Sequence, residues 1–310
     1  MPKAYVYTAH GGPEVEAFDE VPRPIPGPGQ VLVAVRAAGV NPVDWKRRAG
    51  FNRPGAPGDV FPVVFGAEAA GVVEQLGPQT EGFAAGDAVF GSAVTGAYAE
   101  YAVLSAEFAA RKPPSVSFTD AAALTIAGPT AHDGVAQAGL APGSTLLVTG
   151  VGGGVGVAAA QIARRAGLNV IGTAGAQKKE FVEALGVVYV EPGPDVADRI
   201  RAAAGGIGGG AVDAIFDLVG GAHLEAVAVL LENRSKLVTA GDRLTAARLG
   251  GVPVERDRRR AVLDRIAGWT AQGVFDPLVT ATYPLEEAPE ALRAVEDGHA
   301  RGKIVVRVGD

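Results

Sequence analysis

The stretch TLLVTGVGGGVGVAAAQIA, residues 145–163, passes from an apolar run through five glycines in seven positions into an alanine-rich run. The first five residues suit a buried strand and the alanines suit a helix, so the glycines form a tight turn between them. Glycine loses more conformational freedom on folding than any other residue, and a turn that collects so many needs a reason. Close approach of main-chain amides to an anion is such a reason, because the helix that follows presents unpaired N–H groups and the positive end of its dipole. The G-x-G-x-x-G spacing itself is absent: Gly150 and Gly152 require a glycine at 155, which is Val155, whereas Gly150, Gly153 and Gly156 are spaced by three. A purely structural turn is the alternative, but the strand before it and the helix after it point to a dinucleotide pyrophosphate site.

No charged residue lies between Asp133 and Arg164, a window long enough to resemble a membrane span. Pro142-Gly143 and the glycine cluster argue against one, since a lipid-exposed segment must satisfy its backbone groups internally. Strand, turn and helix is the expected reading. The same alternation continues downstream in NVIGTAG, KKEFVEALG, VVYV, AVDAIFDLVGG, HLEAVAVLL and KLVTAG. Near-continuous Val/Ile/Leu strands separated by helices predict a doubly wound parallel sheet over 120–265.

Upstream, short β-like runs broken by Gly and Pro predict a compact β domain over 1–119, with VPRPIPGPGQ as a loop leading into a strand at Val31. The tail 266–310 reads as a helix and an alternating strand that complete this domain. GGVPVE (250–255) is a candidate edge strand because Pro253 lacks a ladder N–H.

The chain has 310 residues and 48% hydrophobic composition, which suits two domains. It contains no cysteine, and its four histidines are scattered, so neither disulfides nor a metal site is expected. The net charge of −6 disfavours nucleic acid and anionic membrane as partners. The basic run Arg256–Arg260 reads as the solvated start of a helix. With no secretory signal visible, the expected location is the cytoplasm.

About 20 residues beyond the glycine turn, an Asp or Glu would bind the ribose hydroxyls of NAD. Here the strand ends in Thr173, Ala174 and Gly175, and the first charges are Lys178 and Lys179. A missing carboxylate with an added cation suits a 2′-phosphate and predicts NADPH. Which lysine makes the contact is open, and the competing view is that both simply begin an exposed helix.

The motifs GVNPVDWKRRAG (39–50), FGAEAAGVVEQLG (65–77), EGFAAGDAVFG (81–91), GAYAEYAVL (96–104), GPTAHDGV (128–135), FDLVGG (216–221) and GHARGKIVV (298–306) accompany the glycine turn. With them the chain resembles the medium-chain dehydrogenase/reductase superfamily, and within it the zinc-independent, NADPH-dependent quinone oxidoreductases. Zinc-dependent members have Gly-His-Glu where this chain reads Gly66-Ala67-Glu68, and they hold cysteines that it lacks. Without a metal to stabilise an alkoxide, alcohol oxidation loses its Lewis acid, whereas an electrophilic conjugated acceptor needs none.

The resemblance implies a GroES-like β-barrel catalytic domain, a Rossmann domain, and hydride transfer from NADPH to a quinone or enone in a homodimer. It places Asn41, Pro42, Val43, Asp44 and Thr130 by the nicotinamide, with Asn41 and Thr130 stabilising the developing oxygen charge. Gly152, Gly153, Gly154 and Val155 would take the pyrophosphate and Lys178 the 2′-phosphate, near Thr173 and Gly175. Leu218, Val219, Ala240 and Gly241 would line the nicotinamide side, and Arg301-Gly302-Lys303 would close over the cofactor. Lys46 stands where such reductases have a tyrosine, and either polarises a carbonyl or points to solvent. Asp44 is either a helix cap or catalytic, and Glu68 is expected to hold a loop by hydrogen bonds. An enoyl-thioester or alkenal reductase and a non-catalytic NADPH-binding protein are the competing readings.

Overall fold

The computed structural model describes residues 1–51, 58–207, 210–257 and 259–309. Two compact units form, one from Met1–Ile126 with Arg258–Asp310 and the other from Ala127–Asp257. The first contains β1 (Lys3–Tyr7), β2 (Glu16–Glu20), β3 (Gln30–Val40), α1 (Pro42–Arg48), β4 (Val63–Val64), β5 (Glu68–Leu76), β6 (Ala88–Ala93), β7 (Tyr101–Arg111) and α2 (Phe118–Ala122). The second contains α3 (Ala127–Ala138), β8 (Thr145–Thr149), α4 (Gly154–Arg165), β9 (Asn169–Thr173), α5 (Lys179–Ala184), β10 (Val188–Val190) and α6 (Val196–Gly205). It continues through β11 (Ala214–Asp217), α7 (Gly221–Ala228), β12 (Leu237–Thr239), α8 (Arg243–Arg248) and β13 (Val252–Pro253). The chain then returns to the first unit with α9 (Arg260–Ala271), β14 (Val279–Pro284), α10 (Ala288–Glu296) and β15 (Lys303–Arg307).

In the first unit β3, β5, β6 and β7 pair in turn, and β3 also pairs with β7. This closure makes the GroES-like barrel and leaves these strands with few exposed ladder groups. Alternation along β3 sends Val31, Val33 and Val35 into one core with Val73, Val89 and Leu104. The tail joins the same core: β15 pairs antiparallel with β3, and Ala291 and Leu292 of α10 pack beneath. A separate small sheet is ordered β2-β1-β4.

The second unit is a six-stranded parallel sheet in the order β10-β9-β8-β11-β12-β13. Chain direction across the sheet reverses between β8 and β11, the point at which such folds open a ligand crevice beyond the strand C-termini. Leu147, Ile171, Ile215 and Leu237 face one way, onto Ile200 of α6, Leu224 of α7 and Ala246 of α8. Both faces are therefore lined by apolar strand residues, as continuous Val/Ile/Leu runs require. Pro253 lies on the edge strand β13, where its missing N–H leaves no broken ladder bond.

The segment AAALTIAGPTAHDGVAQAG is not one helix. α2 ends at Ala122 and α3 begins at Ala127, with Pro129 in its first turn, where the missing N–H would be unpaired anyway. Arg259 is the N-cap residue of α9, Arg256 is exposed, and Arg258 of the basic run lies outside the described residues. The charge-free window 134–163 is divided among α3, β8 and α4, and no helix of the described residues is long and apolar enough to cross a membrane.

The three evenly spaced glycines have different duties. Gly150 takes a φ of +67°, which disfavours any side chain. Gly153 is the N-cap of α4 and has room around it. Gly156 has none: a Cβ there would lie 2.5 Å from the Gly150 carbonyl oxygen and 2.6 Å from that of Val151. Although Ala is the better helix former, Gly156→Ala is expected to destabilise the protein by about 1–3 kcal/mol through overpacking. Urea unfolding monitored by circular dichroism checks this, and an unchanged midpoint would contradict it.

Candidate active site

At the carboxyl edge of the parallel sheet, Thr173, Thr149, Asp217 and Thr239 end β9, β8, β11 and β12. Pairing aligns Thr149 with Thr173, and Asp217 with Thr239. All four are buried. Asp217 Oδ1 accepts from the Thr149 hydroxyl at 2.8 Å and Oδ2 from that of Thr239 at 2.7 Å. Oδ1 also accepts from the Gly220 N–H, while the Thr149 hydroxyl oxygen accepts from the N–H of Leu218. The Gly241 N–H donates to the Thr239 oxygen. A single buried carboxylate and its two threonines thus shape the loops carrying Leu218, Val219, Ala240 and Gly241. None of the three was singled out in the sequence, because each reads as an ordinary strand terminus.

Beside this row the glycine turn leads into α4, whose N-cap, Gly153, has no side chain to occupy the first-turn N–H groups. Lys178 packs on the turn: its Cδ lies 2.8 Å from where a Cβ on Gly152 would stand. Lys178 is 8% exposed, whereas Lys179 is mostly exposed and lies 4.0 Å from Glu183, one helical turn on. The two lysines are thereby distinguished: only Lys178 borders the turn. Main-chain amides, a helix N-terminus and an adjacent ammonium fit the diphosphate of a dinucleotide. Thr173 closes β9, the strand that precedes Lys178. It is buried, with its oxygen 2.9 Å from His223 Nε2. Gly175 is the N-cap of the short turn that carries Lys178, and Thr130 is buried in the first turn of α3.

In the first unit a second polar cluster surrounds α1. Asn41 is the N-cap residue and Pro42 opens the helix, with Val43 following. Asp44 at N3 accepts from the Asn41 backbone N–H at 2.9 Å, the return half of a capping box. The cap is therefore Asn41, not Asp44. Glu68, wholly buried, accepts at Oε1 from Asn41 Nδ2 and Lys303 Nζ, each at 2.7 Å, and at Oε2 from the Ile126 N–H at 2.7 Å. Gly39 permits this approach, since a Cβ there would collide with Glu68 Oε1.

This geometry bears on two of the expected roles. Asn41 was expected to donate to a developing oxygen charge, but its amide hydrogens are taken by Glu68 and by the Gly39 carbonyl at 3.2 Å. Lys303 was expected to close over the cofactor, yet its three N–H groups go to Glu68, Asn41 Oδ1 at 2.8 Å and the Val40 carbonyl at 3.2 Å. Arg301 beside it is exposed. Lys46 is half-buried, with its ammonium 5.6 Å from the centroid of the Trp45 ring.

Asp44 Oδ2 also accepts from the Tyr98 hydroxyl at 3.1 Å. Burial pushes the Asp44 carboxyl up to about 7, and the Glu68 charge adds to this. The Asn41 N–H, the Tyr98 hydroxyl and Lys303 oppose the rise. Burial and Asp44 hold the Tyr98 phenol well above its ordinary range, so it remains a donor. The cluster accordingly contains a carboxyl group able to gain or lose a proton near neutrality. Among the described residues, no group of three or more His, Cys, Asp or Glu is gathered as a metal site would need.

The family profile described as "Alcohol dehydrogenase GroES-like domain" matches residues 27–114, and "Zinc-binding dehydrogenase" matches 194–306. The chain is 30% identical over 318 residues to "Quinone oxidoreductase" of Homo sapiens, covering 96% of this chain and 94% of that protein. It is 31% identical over 324 residues to "2-methylene-furan-3-one reductase" of Solanum lycopersicum, covering 98% and 78%. Among solved structures, the quinone oxidoreductase from Coxiella burnetii superposes with a TM-score of 0.86 at 28% identity, covering 99% of each chain.

Removing one member of the buried pair strands the other. Lys303→Met is expected to lower the unfolding free energy by about 3–5 kcal/mol, and adding Glu68→Met to recover much of the loss. A denaturant double-mutant cycle reads this, and additive losses would contradict it. Because Asp44 binds a proton in the native state at pH values where the unfolded chain has released it, stability should fall as pH rises from about 4 to 7. The slope is up to about 1.4 kcal/mol per pH unit. Asp44→Asn should remove this component, which unfolding curves at pH 5 and pH 7 would detect.

Proposed function

The chain belongs to the zinc-independent quinone oxidoreductase family of the medium-chain dehydrogenases/reductases, and from this premise we propose that it transfers hydride from NADPH to a quinone or conjugated enone. It is an oxidoreductase, and its family uses a nicotinamide cofactor. The observation that carries the choice of NADPH is Lys178, buried against the Gly152 turn while β9 ends in Thr173 with no carboxylate. An ammonium there attracts a 2′-phosphate, and the absent carboxylate does not repel it.

The bound cofactor supplies the hydride; everything else is the work of the chain. The amides of Gly152, Gly153, Gly154 and Val155 would hold the diphosphate at the start of α4. Asp217 and its two threonines preorganise the loops at Leu218, Val219, Ala240 and Gly241. In the first unit, Lys303 and Glu68 immobilise Asn41 and so the start of α1, where Pro42 and Val43 would lie beside the nicotinamide. With the Asn41 donors taken, Asn41 is not the group that stabilises negative charge on the acceptor oxygen. Asp44, sharing a hydrogen bond with Tyr98, is the nearby group whose proton is exchangeable at neutral pH.

The relative named 2-methylene-furan-3-one reductase supports the enone branch of this reading. NADPH oxidation by the purified protein across quinones, enones and enoyl thioesters tests it, with turnover expected for the first two classes. Turnover with thioesters alone would identify an enoyl-thioester reductase, and binding without turnover a non-catalytic protein. Lys178→Glu should raise the Michaelis constant for NADPH by about tenfold or more, with little change for NADH. An unaltered preference would refute the assignment of Lys178.

A further inference from the structure

His223 lies in the first turn of α7, and its Nε2 is 2.9 Å from the hydroxyl of Thr173. Thr173 ends β9, the position from which NAD enzymes of this fold project a carboxylate to the ribose. Here an imidazole stands over that position. Thr173 is only 2% exposed, while His223 is partly exposed. Among the described residues, the ring's other nitrogen, Nδ1, makes no hydrogen bond to the chain. One residue further along, Ala174 Cβ lies 3.6 Å from where a Cβ on Gly152 would stand, the same point that Lys178 Cδ approaches to 2.8 Å. Strand end, glycine turn, Lys178 and His223 therefore meet at one corner of the carboxyl edge.

We propose that His223 is a specificity-determining residue that donates from Nδ1 to the 2′-phosphate of the dinucleotide, with Thr173 as the positioning residue that fixes the ring. This rests on the NADPH reading above. A Thr173 hydroxyl donated to Nε2 selects the tautomer with its proton on Nδ1. Burial lowers the affinity of the ring for a second proton, and the charge of Asp217 on β11 acts in the opposite sense. Asp217 makes no hydrogen bond to the ring and instead accepts from Thr149 and Thr239. A neutral N–H donor tolerates a phosphate dianion at a place where a carboxylate would repel it, and it complements the ammonium of Lys178.

Dissociation constants for NADPH and NADH, measured by cofactor fluorescence on the full chain, test the proposal. His223→Ala should weaken NADPH binding about tenfold and NADH binding less than about twofold. His223→Asn, whose amide N–H can replace Nδ1–H, should restore much of the preference, and Thr173→Val should lose part of it. Equal weakening of both cofactors by His223→Ala, without rescue by Asn, would show a merely structural role and overturn the inference. So would an unchanged ratio in a wild-type protein that prefers NADPH, a result that leaves the NADPH reading intact. A wild-type preference for NADH would overturn both.

Discussion

The buried ion pair between Lys303 and Glu68 ties the last strand of the chain to the barrel and fixes the residues around α1. Its partners are 235 positions apart in sequence, yet they meet at 2.7 Å with almost no exposure. Desolvation makes such a pair a weak source of net stability. What it supplies is orientation. Glu68 can accept from Asn41 only through the amide nitrogen, and Lys303 can donate only to the amide oxygen, so the Asn41 side chain has a single satisfactory setting. The Ile126 N–H is held by the other carboxylate oxygen, which anchors the end of the segment leaving the barrel.

The second unit solves a similar problem with one carboxylate and hydroxyls. Beyond the strand ends, loop amides have no ladder partner, and Asp217 collects those of Leu218 and Gly241 through Thr149 and Thr239. The loops carrying Leu218 and Gly241 are held in place by these bonds. Lys178 packs on the glycine turn beside this row.

Both units therefore place titratable groups in surroundings that alter them. Asp44 is pushed to about 7 because burial outweighs its hydrogen bonds, while burial shifts His223 toward its neutral form. These are chemically useful states at neutral pH, and neither follows from residue type alone.

Much of this architecture was legible in the amino-acid sequence. Val/Ile/Leu runs alternating with helical segments determine a parallel sheet, because strands buried on both faces cannot be polar. The glycines among residues 150–156, between a strand and a helix, determine a tight turn, and Pro253 determines an edge. Tertiary structure alone decided which of two adjacent lysines borders that turn, since one residue of helical rotation separates burial from exposure. It likewise decided that Asn41 and Lys303 face each other across Glu68, and that His223 covers Thr173. Those contacts join residues far apart in the chain, and local pattern cannot show where a hydrogen-bond donor finds its acceptor.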